Sequence, residues 1–104
     1  MQPRIAITTG DPAGIGPEIS AKAADDRRVL AVCEPIIYSP PDAGSYAPGI
    51  LSGAAGQASY DLIVRAVRDA QAGRVDAVAT APVNKEAFRR AGLPWAGQIG
   101  RAHV

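Results

Sequence analysis

The stretch Arg4–Glu18, RIAITTGDPAGIGPE, constrains this chain more than any other. An apolar run, Ile5-Ala6-Ile7, leads into Thr8-Thr9-Gly10-Asp11-Pro12-Ala13-Gly14-Ile15-Gly16, after which Pro17 opens a helix-like segment. Proline at the first helical position loses no bond, because that N–H has no intrahelical partner in any case. The order is therefore strand, glycine-rich loop, helix N-terminus. Such a loop brings backbone N–H groups close to an anionic ligand, and the helix dipole favours negative charge there. Asp11 limits that reading, since a carboxylate in the loop repels a bare phosphate and suits a hydroxyl, an ammonium or a metal. The glycines at 10, 14 and 16 do not make the G-x-G-x-x-G of a dinucleotide fold, and no Gly-Lys-Ser/Thr follows to make a P-loop. A tight strand-to-helix turn, with glycines supplying only positive φ, fits the residues as well.

The rest of the chain continues the alternation. Arg4 to Thr8 reads as a short buried parallel strand. A helical pattern runs from Pro17 to about Ala24, with Ile15, Ile19 and Ala23 on one face. Asp25-Asp26-Arg27-Arg28 reads as a solvated helix end, and Pro35–Tyr38 as a second strand. Ser39 to Gly49, SPPDAGSYAPG, is turn-forming throughout. The best helix begins at Ser52 or Gly53, with Tyr60, Ile63, Val64, Val67 and Ala70 expected on its apolar face and Gly73 just past its end. Val75–Thr80 is a buried-type strand, and Asn84 is placed to cap a third helix that Gly92 ends. Strands alternating with helices predict an α/β fold with parallel pairing.

Composition narrows the partners. Eleven Lys and Arg against ten Asp and Glu leave a formal net charge of +1, and one Trp, three Tyr and one Phe are the only aromatics. That balance offers no reason to expect nucleic acid or an anionic membrane as a partner. The single cysteine, Cys33, permits no internal disulfide and reads as a small buried hydrophobe in a reducing compartment. No apolar run approaches the roughly 20 residues of a spanning helix, and Gly10-Asp11-Pro12 interrupts any signal-peptide core. A cytoplasmic location is expected.

In open α/β sheets, ligands bind beyond the carboxyl ends of the strands. Thr8–Gly16 and Thr80–Lys85 both lie there, so two distant segments are expected to converge on one crevice. Lys85 offers a point charge for a phosphate or carboxylate, while Thr80 and Asn84 offer hydrogen bonds. The plainer readings are an exposed helix lysine and an ordinary N-cap.

Two blocks carry a resemblance. TTGDPAGIGPE resembles the N-terminal signature of the 4-hydroxythreonine-4-phosphate dehydrogenase family, and Thr80-Ala81-Pro82-Val83-Asn84-Lys85-Glu86 resembles its TAPxNKE motif. The resemblance implies an incomplete three-layer α/β/α fold with a mainly parallel sheet, similar in the full-length family to isocitrate and isopropylmalate dehydrogenases. It implies an NAD-dependent and divalent-metal-dependent (Zn, Mg or Co) oxidoreductase of pyridoxal 5'-phosphate biosynthesis. Its members oxidise 4-phosphooxy-L-threonine, and the resulting 3-keto acid loses carbon dioxide. The implied partner is a small phosphorylated hydroxy acid, and the full-length parent is implied to be a homodimer. Asp11, Gly14, Thr80, Asn84 and Lys85 become the substrate-binding candidates, with no catalytic residue assigned.

The family draws its metal-binding histidines from regions further along, so no residue here inherits that role, and no nicotinamide site is expected in this segment. Where the family continues with Gly-His-Thr-Glu, whose His and Thr contact substrate, this chain has Gly97-Gln98-Ile99-Gly100; His103 inherits nothing. The expected organisation is a partial α/β domain over 1–97 with an internal loss near 39–45, followed by a non-native tail over 98–104. That tail resembles the translation of a sequencing adapter. The segment alone is expected to be inactive. Two other readings stand beside it: a non-catalytic module that binds a phosphorylated metabolite, and a functionless truncated product.

Overall fold

The computed structural model describes residues 2–93; the expected tail, with Gln98, Ile99 and His103, lies outside the described residues. Strand β1 (Arg4–Thr8) is followed by helix α1 (Gly16–Ala24), a short helix α2 (Arg27–Leu30) and strand β2 (Glu34–Tyr38). A single 3-10 turn at Ala43–Ser45 precedes helix α3 (Gly53–Gln71), strand β3 (Ala77–Thr80) and helix α4 (Lys85–Arg90). The strands form one parallel sheet in the order β2-β1-β3, with Ala6 opposite both Ile36 and Val78.

The order dictates the layers. The crossover from β1 to β2 leaves in one direction, and the crossover from β2 to β3 returns past β1 in the other. Right-handed connections then put α1 and α3 on opposite faces. Because successive strand residues point to opposite faces, Ala6 and Ile7 report the two sides. On one, Ala6, Tyr38, Leu62, Ala66 and Val75 form the core, joined by Ile36, Ala70 and Val78. On the other, Ile7, Ile19, Ser20 and Ala23 bring α1 over the sheet, together with Ala79, Thr80 and Ala81. The parallel α/β pattern expected from the alternation is present, in the α/β/α layering that the resemblance implies.

The helix signals act where their chemistry places them. Ser52 Oγ accepts the Ala55 N–H at 3.1 Å, and Gly73 and Gly92, both with φ of 79°, follow the ends of α3 and α4. Two details depart from expectation. Asp25-Asp26-Arg27-Arg28 is not simply a solvated helix end, because Asp26 caps α2 by accepting the Arg28 N–H at 2.8 Å. The buried face of α3 is rotated from the predicted one: Ala55, Gly56, Ser59, Leu62, Ile63 and Ala66 are buried, while Val67 is 37% exposed. Counting large apolar residues misplaced that face, because the sheet and α4 approach α3 through its small residues.

The opposite layer is thinner. Ile15 is 63% exposed and Ile19 38%, and a concavity of about 320 Å3 lined by Ile7, Ile19, Ala23 and Ala81 stays open beside α1. The apolar face predicted for α1 is thus present but only half covered.

Candidate substrate crevice

Beyond the carboxyl ends of β1 and β3 the two sequence blocks meet. The Ala81 N–H donates to the Thr8 carbonyl at 2.9 Å, and the Asp11 N–H donates to the Pro82 carbonyl at 3.3 Å. Gly10 has φ of 72°, and a Cβ built on it would lie 2.2 Å from the Pro82 oxygen. A Cβ on Gly16 would lie 1.8 Å from the Thr9 carbonyl oxygen and 3.3 Å from the Ala81 Cβ. Both glycines are therefore required by close backbone approach, not only by turn conformation. The turn between them is closed from within. Asp11 Oδ1 accepts the Ala13 N–H at 2.8 Å, and the Asp11 carbonyl accepts the Gly14 N–H at 3.0 Å.

This arrangement frames a concavity of about 430 Å3 lined by Asp11, Gly14, Ile15, Pro82, Val83, Asn84, Lys85 and Glu86. Four of the five candidates, Asp11, Gly14, Asn84 and Lys85, come together there. Thr80 does not; it lines the concavity beside α1, with Ile7, Ile19 and Ser20. Asn84 caps α4, its Oδ1 accepting the Ala87 N–H at 3.0 Å, which fixes the backbone from which Lys85 projects. Asp11 is buried, at 6% exposure.

Sequence reasoning passed over Glu86, which lines the crevice as well. Its charge is met by Arg89 at 3.0 Å, an i,i+3 pair on α4 that was legible as a spacing. With Glu86 paired, Asp11 and Lys85 are the opposite charges left to face a ligand. A zwitterionic or anionic hydroxylated molecule suits that pair: the lysine ammonium meets phosphate or carboxylate, and Asp11 accepts from a hydroxyl or ammonium. The hydroxyls of Thr8, Thr9 and Ser20, around the end of β1 and on α1, are buried without a hydrogen-bond partner among the described residues. No spacing in the sequence announced them.

Among the described residues, no group of three or more His, Cys, Asp or Glu side chains stands together to hold a metal ion. Nor is any helix among them long and apolar enough to cross a membrane.

Known proteins resemble the chain in sequence and in fold. The family model described as pyridoxal phosphate biosynthetic protein PdxA matches residues 6–101. A putative D-threonate 4-phosphate dehydrogenase of Symbiobacterium thermophilum is 32% identical over 136 residues, covering 92% of this chain and 41% of its own length. The D-threonate 4-phosphate dehydrogenase of Pectobacterium atrosepticum is 36% identical, covering 93% of this chain and 42% of its own length. The crystal structure of a 4-hydroxythreonine-4-phosphate dehydrogenase from Burkholderia phymatum superposes with a TM-score of 0.82 at 30% identity, over 93% of this chain and 41% of that one. The chain thus spans about two fifths of the length of the curated relatives it matches. In the first alignment, 92% of 104 residues is about 96, so about 40 of the 136 aligned positions have no counterpart here.

Proposed function

Because the chain belongs to the pyridoxal phosphate biosynthetic protein PdxA family, we propose that the intact protein is an NAD-dependent dehydrogenase of a four-carbon phosphorylated hydroxy acid. The leading substrate is 4-phosphooxy-L-threonine, oxidised at its hydroxyl and then decarboxylated, in pyridoxal 5'-phosphate biosynthesis. Relatives named for D-threonate 4-phosphate make that acid the nearest alternative substrate. The single observation that carries the reading is the convergence of Asp11 and Lys85 on one crevice, built by two blocks that lock backbone to backbone.

In this reading, Lys85 neutralises the substrate's phosphate or carboxylate, and Asp11 accepts a hydrogen bond from its hydroxyl or ammonium. Gly14 leaves room for the ligand beside the loop, and Asn84 holds the α4 backbone in place. NAD, when bound, accepts the hydride; the divalent metal and the nicotinamide belong to parts of the protein beyond this segment. The intact enzyme is proposed to work as a cytoplasmic homodimer.

The same reading includes an internal loss. About 40 residues present in the relatives are placed between Tyr38 and Tyr46, where the chain passes from β2 through exposed turns. The lengths of the alignments support a loss, and the turn-forming sequence of the loop is the reason for placing it there.

The test is formation of NADH by the intact protein with NAD, a divalent metal and either phosphorylated acid. Turnover of one of them is expected. No NADH with any four-carbon phosphorylated hydroxy acid would sink the proposal. Thermal stabilisation by these acids without turnover would replace it with a non-catalytic binding module.

A further inference from the structure

Lys85 is carried by α4, a helix of six residues. Helices this short do not hold themselves in water, so the position of α4 must come from what it packs against. That neighbour is the N-terminal half of α3. We propose that Gly56 is a positioning residue: its missing side chain seats α4 so that Lys85 stands opposite Asp11. This inference rests on the crevice being the substrate site.

The contact is backbone to backbone. A Cβ built on Gly56 would lie 2.2 Å from the Ala87 carbonyl oxygen, 2.4 Å from its carbon and 2.9 Å from the Phe88 nitrogen. No rotamer change relieves such a contact, because every atom it meets is main chain. The same residue, Ala87, gives its N–H to the Asn84 cap. One side of Ala87 therefore touches α3, and the other fixes the start of α4, one turn before it. A displaced Ala87 moves Asn84 and Lys85 with it.

The surroundings leave α4 little choice but to move as a body. Ala87 is fully buried and Phe88 nearly so, and Tyr60 of α3 meets the Phe88 ring edge to face at 6.4 Å between centroids. Gly53, about one turn earlier on α3, meets α4 more gently: its Cβ would lie 3.0 Å from the Arg90 carbonyl oxygen. Not every glycine is so placed. Gly44 and Gly73 would meet nothing within 4 Å. A glycine that served packing alone would affect stability without regard to Lys85, so the test must ask whether the two residues act together.

A double-mutant cycle in the intact enzyme asks that, using 4-phosphooxy-L-threonine and D-threonate 4-phosphate as substrates. Gly56→Ala is expected to raise KM about tenfold, the order of a lost charge-assisted hydrogen bond, with kcat changed far less. Adding Lys85→Ala to Gly56→Ala should then cost less than about twofold more, since the contact is already gone. Gly53→Ala should follow the same pattern with a smaller change in KM, and it carries the cycle if Gly56→Ala does not fold. Additive costs, or a wild-type KM in Gly56→Ala, would overturn the inference and leave the proposed function standing. Failure of both glycine variants to fold would overturn it too, because the glycines would then serve stability alone. A wild-type protein that turns over neither acid removes the proposed function itself and this inference with it.

Discussion

Two loops leave the same end of the same sheet and are built in opposite ways. Residues 9–15 join β1 to α1, and of these Thr9 to Ala13 are buried without a break. Residues 39–52 join β2 to α3, and between 39 and 50 only Pro40 is buried. The first loop is pinned by backbone bonds to β2 and to the loop after β3, from Thr9 to Tyr38 and from Asp11 to Pro82. The second touches its neighbour mainly where the Gly49 N–H reaches the Ala13 carbonyl at 2.8 Å. The strand position explains the contrast. β1 is central and has a partner on each side, so its loop is squeezed between two others and beneath α1. Among the described residues β2 lies at the sheet edge, so its loop answers mainly to its own turn chemistry. A central strand's loop is therefore the place to build a site.

The comparison breaks most sharply at its glycines. Gly16→Ala must push Cβ into the Thr9 carbonyl oxygen, and should cost at least about 3 kcal/mol, the upper end for overpacking. Gly44→Ala, with open space around it, should stay within about 0.5 kcal/mol. Urea denaturation of the intact protein reads both; equal costs would erase the distinction between the loops.

Charge gives the next largest effect. Asp11→Ala and Lys85→Ala should each lower kcat/KM by about 1–3 kcal/mol of transition-state binding. Asp42→Ala, in the second loop, should leave it unchanged. Wild-type kinetics for the first two variants would return Asp11 to a turn residue and Lys85 to an exposed lysine.

Two helix caps refine the contrast further. Asn84 and Ser52 each accept an N–H from the first turn of their helix, so either change to Ala should cost about 1 kcal/mol of stability. Only Asn84→Ala should also weaken substrate, because only Asn84 lines the crevice. Steady-state kinetics on the pair separates a cap at the site from a cap elsewhere.

The smallest expected effect is titration at the end of β2. Tyr38 Oη donates to Asp69 of α3, and Arg74 holds the same carboxylate at 3.1 Å. The Tyr38 hydrogen bond, then Arg74, lowers the Asp69 pKa, while that bond, then burial, raises the Tyr38 phenol. For the lowered carboxylate, the stabilisation is present above its ordinary value of 3.8 and fades as pH falls through the depressed one. For the raised phenol, it is present below 10.0 and fades as pH climbs through the higher value. Denaturation midpoints across pH should therefore fall at both extremes, and Tyr38→Phe should flatten both limbs. An unchanged pH profile in that variant would show that β2 is not anchored by this pair.

How much of this was legible depends on how far the deciding contact reaches. Arg4–Thr8 as a strand, Asn84 as a cap, a helix start at Ser52 or Gly53 and Gly73 as a helix end were all readable, because each rests on chemistry within a few residues. The parallel pairing followed from the alternation of those elements. Asp26 as the cap of α2 was readable on the same grounds, but the charge run around it concealed the helix.

Local pattern was enough for the strand–loop–helix order, the Asn84 cap, the α/β alternation with parallel pairing and the meeting of two blocks at the carboxyl ends of the strands. Tertiary structure alone decided the rest. It turned α3 onto its small residues, sent Thr80 to the α1 side, and left no room for a Cβ at Gly10, Gly16 or Gly56 while leaving open space at Gly44. The physical reason is separation along the chain. A glycine's value at position 10 is set by a carbonyl at position 82, and at position 56 by one at position 87. No local pattern carries that distance.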